Sequence, residues 1–314
     1  MVAVRKSDWV VWMITIENGC LSAQFTPMGA AMMTLHHRAV PQSLVLGFED
    51  EAQYARNPAY LGAVCGRVSN RIRGASFDLN GRSYPLTANE GHNQLHGGAP
   101  GWSHRVWDVI EQSKDQVCFG LRDQDGEQGF PGNVDVHVHY RLIDAALNVE
   151  IRTTTDHAGP IAPTTHNYFR FGDQPGLIDH KLWLNCYGLT ALDAASIPTG
   201  DVIRCAAFFP NLQQDIDVNY CINDQRFDAL YHHATLSYRD QVVMQVHSNE
   251  PGLQVYNACG MVASQGPGLA PYAGLALEPQ LWPDAVNHPN FPNCIVQPGQ
   301  VYRHLTRFDF SLTS

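Results

Sequence analysis

Hydrophobic and polar residues alternate along much of this chain with the two-residue period of a half-buried strand. Val134, Val136, Val138 and Tyr140 interleave with Asp135, His137, His139 and Arg141. Leu147, Val149, Ile151 and Thr153 then interleave with Asn148, Glu150 and Arg152, which predicts the return strand of the same ribbon. Phe77-Asp78-Leu79 and Arg82-Ser83-Tyr84 flank Asn80-Gly81, a type I′ turn dipeptide, and predict a hairpin. The apolar run at residues 9–16 predicts a first strand. Turn signals recur at Gln128-Gly129-Phe130-Pro131-Gly132, Gln174-Pro175-Gly176, Pro198-Thr199-Gly200 and Pro251-Gly252. Amphipathic helices are not evident; residues 50–57 predict one helical turn or two.

Near the C-terminus, Gly274-Leu275-Ala276-Leu277 alternates like the end of a strand, with Leu275 and Leu277 on one face. Glu278 is expected to be the last strand residue, on the face of Ala276. Pro279, Pro283, Pro289 and Pro292 follow, and their missing amide donors exclude a helix. Short strands at regular spacing with Gly/Pro turns predict an all-β sandwich or barrel. No linker, composition shift or repeat divides the chain, so residues 1–314 are expected to form one large antiparallel β domain with few short helices.

Charge narrows the partners. The balance of 20 Lys and Arg against 30 Asp and Glu gives a formal net charge of −10. No segment concentrates cations, which argues against nucleic acid or an anionic membrane surface. No apolar stretch approaches the roughly eighteen residues of a membrane span. Arg5 and Lys6 precede the first apolar run, but Asp8 interrupts the approach to it, and Glu17 and Asn18 follow with no small-residue cleavage site. The run reads as a strand and not as a leader. The eight cysteines form no CxxC pair, so structural zinc is not expected. Most lie in apolar stretches, which fits reduced, buried thiols in a cytoplasmic protein.

Five segments carry more polar chemistry than plain strands require. Residues 62–73 hold Asn70 and three arginines, Arg67, Arg71 and Arg73, and a guanidinium fork suits oriented hydroxyls or carboxylates. Residues 89–98 place His96 before Gly97-Gly98, a pair that lets the backbone approach a neighbour closely. Residues 163–172 set His166 among aromatics, where an imidazole serves as a general acid near neutral pH. Asp217 follows Ile216 at a loop-to-strand junction, and Gln254 and Tyr256 share one face of a strand. Taken singly, each has a plain structural reading: a packed arginine stem, a loop or core histidine, an Asx turn, a solvated glutamate.

Metal and nucleophile templates fail. His137 and His139 share a strand face without a third ligand, and no HExxH, GxSxG, P-loop or dinucleotide fingerprint occurs. Histidines, carboxylates, an amide and arginine remain. Such a set moves protons on a polyhydroxylated ligand without a cofactor.

Together these motifs resemble the aldose 1-epimerase (galactose mutarotase) family from about Gly29 to Gly299. GRVSNRI at 66–72, NQLHGG at 93–98, GFPG at 129–132, THNYF at 165–169, PTG at 198–200 and LEPQ at 277–280 followed by PDAVNHPNFP at 283–292 stand in the family's order. The resemblance implies the mutarotase-like β-sandwich, with a monosaccharide in a cleft across one sheet. It implies Glu278 as catalytic base, His166 as catalytic acid and His96 as second active-site histidine. Asn70, Arg71, Asp217 and Gln254 fall on sugar-contacting positions, and Trp282 or Tyr168 is a candidate for stacking on the sugar. No cofactor or metal is implied, and a monomer or homodimer is expected.

The implied reaction interconverts the α and β anomers of a free aldose such as galactose by ring opening and closure. An ionised Glu278 and a protonated His166 are expected, each sustained by the other's field. Departures from the family pattern at Ala162, Arg170, Phe171, Val218, Asn257 and Ala258 leave the acid–base pair intact and bear on substrate preference. Alternative readings are a hexose-6-phosphate 1-epimerase, with Arg67, Arg71 and Arg73 as its phosphate cluster, a non-catalytic sugar-binding protein on the same scaffold, and a glycoside hydrolase using Asp217 and Glu278.

Overall fold

A computed structural model describes residues 13–239 and 241–312. Residues 9–12 of the expected first strand lie outside the described residues; Ile14–Glu17 is a strand. Two antiparallel sheets carry the fold. The larger has eight strands, in the spatial order His180–Leu184, Tyr231–Tyr238, Val242–Ser248, Tyr302–Leu312, Ala146–Thr155, Val134–Ile143, Gln116–Asp123 and Asp108–Gln112. The smaller has six, in the order Tyr168–Phe169, Leu275–Gln280, Gly252–Tyr256, Asp217–Cys221, Gly188–Leu192 and Pro198–Arg204. Among the described residues helical structure is confined to 3₁₀ turns, the longest being Glu51–Ala55, capped by Asp50.

Alternation decides which side of each strand is dry. Val134, Val136, Val138 and Tyr140 point inward from the large sheet, as do Leu147, Val149 and Ile151 from its hydrogen-bonded neighbour. Leu253, Val255, Leu275 and Leu277 face them from the small sheet, and all belong to one core cluster. Phe169 and Phe308 meet across the layers with ring centroids 4.9 Å apart. Each such side chain removed from water contributes about 1.5–3 kcal/mol, so the two-layer stack is the main source of stability. The predicted hairpin forms as Ser76–Leu79 and Arg82–Pro85, with Asn80 at φ 52° and Gly81 at φ 76°, the left-handed pair that a type I′ turn requires.

Three expectations need correction. Glu278 is not the last residue of its strand, which continues through Pro279 to Gln280. Pro279 lies opposite Leu253, and its carbonyl accepts a hydrogen bond from Thr164 Oγ1 at 2.8 Å, so the missing amide is tolerated. Pro198-Thr199-Gly200 is not a turn but the start of the edge strand Pro198–Arg204, a position where proline costs no ladder partner. A single 3₁₀ turn, Ala285–Asn287, does form between Pro283 and Pro289.

Arg67 ties the segment that leads to Asn70 and Arg71 onto the large sheet. Its guanidinium is buried and donates from Nε to Asp123 Oδ2 at 2.9 Å and from Nη1 to the Pro131 carbonyl at 2.8 Å. Trp102 and Arg105 also donate to Asp123. Arg67→Ala is expected to lower the unfolding free energy by about 3 kcal/mol, the lower end for a broken buried pair because Arg105 still answers Asp123. Urea denaturation of the variant checks it.

Candidate active site

Facing away from the core, the small sheet presents polar residues in two rows. Register places Asn219, Gln254 and Glu278 side by side, and Asp217, Tyr256, Ala276 and Tyr168 form the row beside it. The same alternation that sends Leu275 and Leu277 into the core therefore turns Glu278 and Ala276 to this face. Loops from the N-terminal half cover it. Together they enclose a cleft of about 360 Å³ whose walls include Asn70, Arg71, His96, His166, Asp217, Gln254 and Glu278. All seven residues that the resemblance puts in catalytic or sugar-contacting positions border this one space.

His166 arrives just after the short strand Thr164–Thr165. Its amide donates to Ala63 O and its carbonyl accepts from Gly62 N, so main-chain bonds fix it on both sides. Gly62 has φ 64°, and a Cβ there would collide with the Met32 carbonyl. His96 follows Gln94–Leu95, which pairs with Arg71–Ile72. A Cβ on the adjoining Gly97 would overlap the Gly66 carbonyl, which is why the glycine pair is needed. His96 Nδ1 accepts from the Asn70 amide at 3.1 Å. That bond fixes the tautomer: Nε2 carries the proton and is the donor.

Glu278 and His166 are both almost fully buried, with Oε1 and Nε2 3.5 Å apart. Glu278 Oε2 and His166 Nδ1 have no hydrogen-bond partner. Burial pushes the Glu278 carboxyl well above the usual carboxylate range, and Asp217 adds to the shift. Burial pulls His166 down to about 4. Burial thus acts on both groups in the direction of their neutral forms, a protonated Glu278 and an unprotonated His166, and against the ion pair expected from sequence. His96 is lowered by burial first, then by His166 and Arg71, and is neutral.

A ladder of charge lines one wall. Arg71 donates from Nε and Nη2 to the two Glu90 oxygens at 2.7 and 2.9 Å. Its Nη1 lies 3.8 Å from Asp217 Oδ2. Gln254 Nε2 donates to Asp217 Oδ1 at 2.6 Å. Burial raises Asp217, and Arg71 and Gln254 oppose the shift. Asn70 sits at φ 58°, a backbone region that suits asparagine better than most side chains.

Sequence reasoning missed several neighbours. Glu90 was visible only as part of a loop, and Tyr60 had no motif. Tyr60 packs on His96 at 4.6 Å and on His166 at 6.0 Å between ring centroids. Buried Asn57 holds that loop, bonding both ways with Leu61. Cys259, Met261 and Gln265 close another side. Tyr168 borders the cleft as expected, but Trp282 does not: it packs on Phe291 and Cys221 and donates to the Pro251 carbonyl. Arg67 is interior, and Arg73 pairs with Asp193 and the Pro198 carbonyl, so no arginine cluster forms.

Most departures from the family pattern point elsewhere. Val218 alternates with Asp217 and packs against the core, Phe171 is interior, and Ala162 bridges Val68. Asn257 donates to the Leu212 and Gln214 carbonyls and accepts from Ile216 N, anchoring the loop that delivers Asp217.

The two-layer antiparallel β fold therefore holds a buried carboxyl–imidazole pair at the floor of a polar cleft. The sequence profile of the Aldose 1-epimerase family matches residues 13–309, and the chain belongs to that family of isomerases. It is 33% identical to galactose mutarotase of Bos taurus over 292 residues, covering 86% of this chain and 84% of the bovine protein. It is 32% identical to aldose 1-epimerase of Escherichia coli K12 over 306 residues, covering 90% and 88%. Its fold matches a solved GalM/aldose epimerase homologue from C. elegans with TM-score 0.90 and 25% identity, over 97% of this chain and 100% of that one. No helix among the described residues is long and apolar enough to cross a membrane.

Glu278 holds a proton more tightly folded than unfolded. The stability it contributes is complete below about pH 4.3 and is lost as pH rises towards its raised value. His166 acts oppositely: its contribution is present above about pH 6.5 and is lost as pH falls towards about 4. Glu278→Gln is therefore expected to melt at a higher temperature than the parent at pH 8, with the gap closing at pH 5. Thermal melts at the two pH values check this.

Proposed function

We propose that the chain works as one aldose 1-epimerase unit that interconverts the α and β anomers of a free aldose, galactose being the first candidate. The observation that carries this reading is the buried Glu278–His166 pair, 3.5 Å apart, with an unpartnered polar atom on each residue beside a monosaccharide-sized cleft. A bound sugar supplies the missing partners. Its C1 hydroxyl donates to Glu278, and that hydrogen bond favours the ionised carboxylate. The single proton held by the pair then passes to His166, with no change in the charge of the site.

From that state Glu278 takes the C1 hydroxyl proton while His166 protonates the ring oxygen, and the C1–O5 bond breaks. Rotation about C1–C2 presents the other face of the aldehyde. Reversal of both transfers closes the ring as the opposite anomer. His96 Nε2–H answers negative charge developing on O5, while Arg71, Asn70, Asp217 and Gln254 hold hydroxyls and orient the ring. The reaction needs no metal or cofactor. Arg71 is the sole member of the arginine trio on the cleft, and Glu90 already occupies it, so a hexose phosphate finds no cationic seat. All eight thiols are free, which supports the cytoplasm as the working compartment.

Polarimetry on freshly dissolved galactose tests the roles. Glu278→Gln and His166→Asn are each expected to slow equilibration by about 10²–10⁴-fold, the usual worth of a positioned acid or base, with galactose binding retained. Parent-like rates in either variant would remove that residue from the mechanism.

A further inference from the structure

Arg71 stands between two carboxylates and has joined only one. Both donors on its Nε edge are taken by Glu90, in a two-bond fork. On the other side, Nη1 and Asp217 Oδ2 are 3.8 Å apart, beyond hydrogen-bond reach. A closed charge-assisted bond between these groups would run at about 2.7–2.9 Å. Glu90 itself stands on a braced loop: the Glu90 amide donates to Asn93 O, the Asn93 amide donates back to Glu90 O, and Asn89 clamps Leu95. On the far side Gln254 holds Asp217 by its other oxygen.

A gap of 3.8 Å between a donor and an acceptor admits one hydroxyl. An oxygen about 2.8 Å from each fits that triangle, accepting from Nη1 and donating to Oδ2. We propose that Glu90 is a positioning residue that keeps Arg71 off Asp217 and so preserves a slot for a single sugar hydroxyl. This inference deepens the epimerase reading and rests on it. Glu90 acts through Arg71 without touching the sugar. Its removal lets the guanidinium swing to Asp217, and each group satisfies the other where a hydroxyl belongs. The slot binds the sugar equally before and during ring opening, so its loss appears in KM and leaves kcat nearly unchanged.

The test is a double-mutant cycle of Glu90→Gln and Asp217→Asn, with galactose affinity read by calorimetry and anomer exchange by NMR. Glu90→Gln alone is expected to weaken galactose binding and raise KM by about ten- to a hundredfold, the worth of a charge-assisted hydrogen bond, with kcat within about twofold. In the Asp217→Asn background the same change is expected to do almost nothing, because Arg71 has no second carboxylate to join. A crystal structure of the Glu90→Gln variant should show Nη1 and Oδ2 in direct contact. Losses that add across the cycle would mean that Glu90 touches the sugar or merely supports the loop, and would overturn the inference. So would an unchanged KM in an otherwise active protein. A parent protein that binds galactose without exchanging its anomers would instead sink the epimerase reading while leaving the slot testable by affinity.

Discussion

The carboxyl of Glu278 is held out of water on an internal strand, and most of the site follows from that placement. The Leu275–Gln280 strand is hydrogen-bonded on both sides, to Tyr168–Phe169 and to Gly252–Tyr256, so it cannot shift register without breaking both ladders. Leu275 and Leu277 lock one face into the core, and the period of two then leaves Glu278 no freedom in direction. A slip of one residue would send the carboxylate into the apolar layer. The hydrophobic stack thus supplies the precision with which a proton-transfer group is aimed.

That precision has an electrostatic cost. Burial disfavours the charged form of each group, raising Glu278 and lowering His166, although the two lie 3.5 Å apart. The pair is held because the surrounding main chain leaves it no alternative: His166 is bonded through both its amide and its carbonyl, and Glu278 sits within a ladder. An apolar pair would be more stable there. A site kept at this expense, with two polar atoms unanswered, is better explained by a hydroxylated ligand than by packing.

Much of this was legible in the sequence, and the limits have physical causes. The ribbon at 134–155 and the turn at Asn80-Gly81 were readable because alternation and a left-handed dipeptide are local signals. Pro279 misled because proline is usually a strand breaker; only the structure shows Thr164 taking its carbonyl. The seven cleft residues were found through motifs in a fixed order, since no local pattern distinguishes His96 or Asp217 from an ordinary loop residue. Glu90 and Tyr60 went unseen because their importance lies in contacts across the fold, to Arg71 and to the two histidines. Trp282 was misjudged for the converse reason: an aromatic near a site motif looks like a stacking platform until packing turns it inward.

A buried pair that opens and recloses the ring of a free aldose must speed the exchange of its anomers even at equilibrium. Saturation-transfer NMR on galactose tests it most directly, because irradiating one anomeric proton reports exchange at equilibrium without a coupling enzyme. Transfer between the α and β resonances is expected to grow in proportion to protein concentration. If galactose binds and the transfer stays at the uncatalysed background at every protein concentration, Glu278 and His166 do not open the ring.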